Sequence, residues 1–178
     1  MTTHTLDLAW LKAGVRDIPD FPKPGILFRD ITPLLKDPQR FRAVTTAWGE
    51  RYRRQRIDAI AAIEARGFIF GSALAFELGV GLIPVRKRGK LPHDTHQVTY
   101  DLEYGTDTVE MHRDAVKPGD RVLIVDDVLA TGGTSLATAQ LVRQLNGEVA
   151  ELVFLIELKM LHGRDRLKDF PIHALLQL

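Results

Sequence analysis

The 178-residue chain contains no cysteine. Disulfides, thiolate catalysis and Cys–zinc sites are therefore excluded. Charge bias is nearly absent as well: 24 basic and 23 acidic residues leave a net charge of +1. Global charge gives no argument for nucleic acid or a membrane surface as a partner. No apolar stretch is long enough to span a bilayer, and the N-terminus lacks a basic region leading into an apolar run. Neither internal repeats nor low-complexity linkers interrupt the chain. Two common phosphate motifs are missing, GxxxxGK(S/T) and a GxGxxG following a strand, which argues against a nucleotide triphosphatase or a dinucleotide site. What remains has the size of one domain, and 45% hydrophobic residues suffice for a sizeable core. A cytoplasmic location is the expectation.

The most informative stretch is Val122–Ser135, VLIVDDVLATGGTS. Val122 to Val125 form a short run of branched apolar residues, as in a strand buried on both faces of a parallel sheet. Asp126 and Asp127 follow where that strand is expected to end. Ala130, Thr131, Gly132, Gly133 and Thr134 come next, and a helical pattern begins after them. A helix start has unpaired N–H groups and a partial positive charge, and glycines let backbone close around an anion. The ATGGT half thus suits a phosphate monoester. The two aspartates would repel that phosphate. They suit ribose hydroxyls, a hydrated magnesium ion, or both.

In that order, VLIVDDVLATGGT resembles the phosphoribosyl diphosphate signature of the type I phosphoribosyltransferases, and most closely their adenine-specific members. The resemblance extends over nearly the whole chain. It implies an α/β fold with a mainly parallel central sheet flanked by helices, an N-terminal hood and a flexible hairpin loop. The expected organisation is one domain over 1–178, with a helix and hood in 1–36 and an α/β core in 37–178.

Taken in order, residues 5–16 read as a short amphipathic helix. Ile18–Leu35 is too rich in proline for a long helix and too apolar for a solvated loop. It resembles the family's FPxPGxxFRDITPLL hood over the base pocket, which implies that Leu27 and Arg29 line that pocket with Phe28 nearby; a Pro-rich edge strand is the plainer alternative. Asp37–Arg56 begins on an Asp–Pro pair and reads as a helix burying Phe41, Val44, Trp48 and Tyr52. Its arginine-rich end suits the helix dipole. Asp58–Ile63 reads as a strand, followed by Glu64–Phe68, EARGF, and a helix through Leu78. An acid, an arginine and a glycine at a strand-to-helix turn describe a second anion site; the plainer alternative is a surface pair between Glu64 and Arg66. Gly81–Val85 is the next strand and runs into Arg86, Lys87, Arg88 and Lys90. Cations so crowded repel unless solvated or joined by an anion. By resemblance, Arg66, Arg86, Lys87 and Lys90 hold diphosphate.

Pro92–His112 alternates as a hairpin with Gly105 at the turn. It resembles the family's closing loop, taken as residues 91–112, with Glu103 and Tyr104 at the matched positions. The resemblance gives Glu103 a proton contact with the purine. Leu136–Leu145 continues the helix after the signature, Val149–Leu158 is a strand, Leu161–Leu167 a short helix and Ile172–Leu176 a last strand.

The implied reaction transfers a phosphoribosyl group from phosphoribosyl diphosphate to adenine, giving AMP and diphosphate with magnesium as cofactor. Magnesium would be held by substrate and water near Asp126 and Asp127. A homodimer is implied, with neither nucleic acid nor membrane as partner. Two alternatives stand beside this: a regulator of purine genes that binds the same sugar diphosphate, and an enzyme for xanthine or another 6-oxopurine.

Overall fold

The computed structural model describes residues 6–101 and 105–178. The chain divides into two compact units, Met1–Arg51 and Tyr52–Leu178. The helix expected to open the α/β core at residue 37 thus lies almost entirely in the N-terminal unit.

In that unit, the expected helix over 5–16 is only α1, Leu8–Lys12, capped by Asp7, whose carboxylate accepts the N–H groups of Ala9 and Trp10. The proline-rich segment is more regular than expected. Strands β1 (Arg16–Pro19) and β2 (Leu27–Asp30) pair antiparallel, with Arg16 opposite Asp30. The Phe21–Pro22 peptide is cis, and Asp20 and Gly25 have positive φ, which turns the chain between the strands. Asp30 accepts hydrogen bonds from the Thr32 N–H and from Arg16, and these hold its carboxyl down at about 2. It thereby fixes the entry to α2, Thr32–Lys36. Helix α3 runs Pro38–Tyr52, shorter than the expected 37–56. Asp37 caps it through the N–H groups of Gln39 and Arg40. Val44, Trp48 and Tyr52 are buried as their spacing requires, whereas Phe41, expected with them, is only half-buried.

In the second unit, apolar runs form a seven-stranded sheet in the order β5-β6-β4-β3-β7-β8-β9. The strands are β3 (Ala59–Ile63), β4 (Gly81–Lys87), β5 (Thr95–Asp101), β6 (Thr106–His112), β7 (Arg121–Leu129), β8 (Glu148–Glu157) and β9 (Ile172–Gln177). Parallel pairing joins β4, β3, β7, β8 and β9, while β5 and β6 add an antiparallel hairpin at one edge. Helices α4 (Gly67–Leu78) and α5 (Gly133–Gln144) follow β3 and β7. Ala61, Ile83, Val85, Ile124, Leu141, Val142, Leu152 and Phe154 are among the side chains that form the core.

Two boundaries differ from expectation. β7 continues through Asp126 and Asp127 to Leu129, because β8 goes on pairing with it as far as Glu157. On its other side, pairing with β3 stops at Val125. The acids therefore lie within a strand that has just lost one neighbour. The helix expected over 161–167 is broken into a 3₁₀ turn, Lys159–Leu161, and α6, Gly163–Arg166, because His162 takes a left-handed conformation. Among the described residues no helix is long and apolar enough to cross a membrane.

Gly71 on α4 packs directly on β3: a Cβ there would stand 2.5 Å from the Cβ of Ala62. Gly71→Ala should lower stability by about 1–3 kcal/mol. Urea denaturation should show a lower midpoint at unchanged slope; an unchanged midpoint would contradict the packing.

Candidate active site

The sheet order sets three sequence motifs side by side. β4, β3 and β7 are adjacent and parallel, so their C-terminal ends share one edge. In open α/β sheets that edge is where ligands bind. β3 delivers Glu64, Ala65 and Arg66, with a cis peptide between Glu64 and Ala65. β4 delivers Arg86 and Lys87, which are its last two residues and no part of a following loop. β7 delivers Asp126 and Asp127 and then the 130–134 turn.

Close approach of backbone brings the first and third motifs together. A Cβ on Gly67 would lie 2.8 Å from the Val125 carbonyl oxygen and 3.0 Å from Asp126 Oδ1. The start of α4 thus rests against β7 at the acids, which a side chain would prevent. Arg66 Nε stands 2.7 Å from Asp127 Oδ2. That ion pair replaces the surface pair between Glu64 and Arg66 considered as an alternative. The Nε–H is not aligned for a hydrogen bond, so buried Asp127 Oδ2 has a charge beside it but no donor.

Asp126 and Asp127 stand under electrostatic pressure. Burial and the neighbouring Asp127 charge push the Asp126 carboxyl well above its ordinary value. Burial also raises Asp127, against the pull of Arg66. Such a pair invites a cation or hydroxyl donors. Among the described residues no group of three or more His, Cys, Asp or Glu could cage a metal ion. Two adjacent acids, one with an orphaned buried oxygen, nevertheless fit a magnesium ion whose remaining ligands come from substrate and water.

The 130–134 turn is built for an anion. Gly132 caps α5 at φ +81 with no side-chain cap, and the first helical hydrogen bond runs from the Leu136 N–H to the Gly132 carbonyl. Among the described residues, the N–H groups of Thr131, Gly132, Gly133 and Thr134 find no protein acceptor. The Thr134 hydroxyl does: it donates to the Tyr100 hydroxyl at 2.9 Å. The β5 end of the hairpin lies over the turn, with the Tyr100 ring 3.0 Å from where a Gly133 Cβ would be.

The crowded cations are already answered from within the chain. Glu64 pairs with Arg86 at 3.1 Å and Lys90 at 2.6 Å, and accepts the Lys87 N–H at 3.1 Å. Burial raises the Glu64 carboxyl, but these donors outweigh it and the net shift is downward. Lys87 Nζ pairs with Asp107 and lies 3.3 Å from the Tyr100 hydroxyl. Glu110, buried on β6, accepts the N–H groups of Lys90 and Leu91 at 2.9 Å and so fixes that turn.

Comparison with known proteins gives this geometry its context. The model of the phosphoribosyl transferase domain matches residues 30–170. The chain belongs to the phosphoribosyltransferase family. An adenine phosphoribosyltransferase from Acidobacterium capsulatum is 57% identical, over 98% of this chain and 96% of its own length. The crystal structure of adenine phosphoribosyltransferase from Thermoanaerobacter pseudethanolicus is 51% identical, with a TM-score of 0.94 over 97% of this chain and 100% of that one. The Saccharomyces cerevisiae enzyme, complexed with an imino-altritol bisphosphate and adenine, is 42% identical with a TM-score of 0.90, over 95% and 98% of the two chains. The fold is the type I phosphoribosyltransferase fold, and the chain is an enzyme of the adenine phosphoribosyltransferase type.

In this phosphoribosyltransferase the residues expected around the sugar and diphosphate, namely Arg66, Arg86, Lys87, Lys90, Asp126, Asp127 and Ala130–Thr134, lie on the described edge of the second unit. Leu27, Phe28 and Arg29 lie on β2 in the N-terminal unit. Leu27 is exposed, Phe28 packs edge-on to Phe21 at 5.1 Å, and Arg29 pairs with Asp17. Glu103 and Tyr104 lie outside the described residues. Sequence reasoning missed Glu64, Asp107, Glu110 and Tyr100 as partners of the cations and of Thr134. The only local signal was alternation along the 95–112 hairpin, which places Tyr100 opposite Asp107.

The raised Asp126 carboxyl yields a signed prediction. A carboxyl raised by folding costs the folded chain stability above the ordinary value of 3.8, and the cost vanishes below it, where folded and unfolded chains are both protonated. Asp126→Asn should therefore stabilise the ligand-free protein at pH 7. That gain should fade as pH falls toward 3.8, as urea midpoints across the range would show. A variant no more stable than wild type at pH 7 would contradict the electrostatic picture.

Proposed function

We propose that this enzyme transfers the phosphoribosyl group of 5-phosphoribosyl 1-diphosphate to adenine, releasing AMP and diphosphate in purine salvage. The observation that carries the reading is the shared edge of β4, β3 and β7. Along it run cations, then an arginine turn, then paired acids, then a row of N–H groups without protein acceptors. A sugar with a phosphate at one end, hydroxyls in the middle and a diphosphate at C1 matches that order. The relatives' names and the adenine in the yeast complex support adenine as the base.

Departure of the diphosphate leaves positive charge on C1 and the ring oxygen. Catalysis requires that the leaving group be neutralised and the sugar held in place. Arg66, Arg86, Lys87 and Lys90 take the diphosphate oxygens in this reading, exchanging part of their pairing with Glu64, Asp107 and Asp127. Phosphoribosyltransferases generally use magnesium with this sugar diphosphate; here it would sit near Asp126 and Asp127 and supply charge neutralisation to the leaving group. Asp126 and Asp127 accept from the ribose hydroxyls, and residues 130–134 hold the 5′-phosphate. Glu103 exchanges a proton with the attacking base, and Leu27, Phe28 and Arg29 line the base pocket, both by family resemblance. Closure of the 91–112 hairpin excludes water from the cationic centre.

A two-copy assembly and a cytoplasmic location belong to the same reading. The regulator alternative draws no support from the N-terminal unit, where a two-stranded sheet separates α1 from α2 and α3.

The deciding assay mixes protein, magnesium and phosphoribosyl diphosphate with adenine, hypoxanthine, guanine or xanthine and follows diphosphate release. Release with adenine is expected; release with none of the bases would favour the regulator. Glu103→Gln should lower kcat about 10²–10⁴-fold, and turnover near wild type would remove Glu103 from proton transfer. Asp127→Asn should raise KM for the sugar diphosphate more than for adenine; equal losses would contradict the division of roles.

A further inference from the structure

A second cation source stands over the phosphate turn, and no motif announces it. Arg166 is the last residue of α6. Its Nη1 lies 3.5 Å from the position a Cβ on Gly133 would take, at the first turn of α5. Among the described residues no carboxylate pairs with it. The same Cβ position lies 3.0 Å from the Tyr100 ring and 3.4 Å from the Asp101 carbonyl oxygen, so the guanidinium stands beside the hairpin end at the first turn of α5. A helix N-terminus repels a cation, and Arg/Lys are favoured at the opposite end. Solvent screens this repulsion at exposed Arg166, and an anion between the two would turn it into attraction. The four residues of α6 offer it little compensating dipole of their own.

Its position is set by packing. The backbone of Gly163 lies directly against Ala130, and a Cβ on Gly132 would come within 2.7 Å of the Gly163 carbonyl oxygen. His162 turns the chain into this approach with φ +52. Arg164 then forks onto buried Glu157 at 2.6 and 2.8 Å. Leu167, fully buried, anchors the far side. The backbone that carries Arg166 is thus clamped to the phosphate turn from both ends.

We propose that Arg166 is a further ligand of the 5′-phosphate, reaching across Gly133 to an oxygen that the 131–134 N–H groups leave uncovered. This rests on the phosphoribosyl reading above and adds a charged side chain to a subsite otherwise made of main-chain donors. A guanidinium there discriminates a doubly charged phosphate monoester from a neutral sugar end more strongly than N–H groups alone. Because Arg166 is exposed, its contribution is screened by salt.

The test compares wild type, Arg166→Ala and Arg166→Lys for binding of ribose 5-phosphate and of inorganic pyrophosphate by calorimetry, at low and high salt. KM for the sugar diphosphate and for adenine is measured alongside. Arg166→Ala should weaken ribose 5-phosphate about tenfold, leave pyrophosphate and the KM for adenine unchanged, and flatten the salt dependence. Arg166→Lys should recover part of the loss. Far-ultraviolet circular dichroism and thermal midpoint check that the variants fold; should the alanine variant unfold, the lysine variant alone still reads the effect through its salt dependence. Unchanged affinity of Arg166→Ala for ribose 5-phosphate would overturn the assignment. Equal weakening of both ligands would also overturn it, since that is a general field effect. A wild-type protein that binds neither ligand would overturn the phosphoribosyl reading itself, a different failure from the first two.

Discussion

Parallel pairing of three consecutive sheet neighbours, β4, β3 and β7, is the constraint on which the rest depends. Ala59–Ile63 pairs with Gly81–Val85 on one side and Ala59–Ala62 with Val122–Val125 on the other. A strand shifted by one residue would turn its side chains to the opposite face. Register fixed by apolar burial therefore also fixes where the chemistry emerges. The polar residues begin where the apolar pairing ends: Glu64 after Ile63, Arg86 after Val85, Asp126 after Val125.

Electrostatics then explains why so many charges can share one edge. Most are held by an opposite charge from a neighbouring segment of the edge: Glu64 by Arg86 and Lys90, Lys87 by Asp107, Asp127 by Arg66; Asp126 is the exception and keeps a raised carboxyl. Each pair joins a half-exposed cation to a more buried carboxylate, and its larger consequence is positional. The pairs hold long side chains near where a polyanion would take them, at the cost that the ligand must compete with the chain's own carboxylates. Tyr100 ties the hairpin to this arrangement by meeting Thr134, Lys87 and Asp107 at one hydroxyl.

Local pattern made the strands and most helices legible. Val122–Val125, Ala59–Ile63 and the Val44/Trp48/Tyr52 spacing announced burial directly, and the ordered DD and ATGGT string announced a phosphorylated sugar. Failures have physical causes. Arg16–Pro19 is charged and ends in proline, and it is a strand only because Leu27–Asp30 pairs with it. The extension of β7 to Leu129 depends on β8, some thirty residues away. Left-handed His162, which divides the last helical segment, has no glycine or asparagine to signal it. Glu64, Asp107, Glu110 and Arg166 matter through tertiary juxtaposition, and periodicity carries no information about that.

The central claim is that a sugar phosphate and a diphosphate bind at distinct points of a single edge. Amide chemical shifts of the ¹⁵N-labelled protein during titration, first with ribose 5-phosphate and then with pyrophosphate, test it most directly. The account predicts that ribose 5-phosphate moves Thr131, Gly132, Gly133 and Thr134 first, and that pyrophosphate then moves Arg66, Gly67 and Lys87 to Lys90. Shifts from both ligands converging on the same amides, or falling away from the ends of β4, β3 and β7, would contradict it.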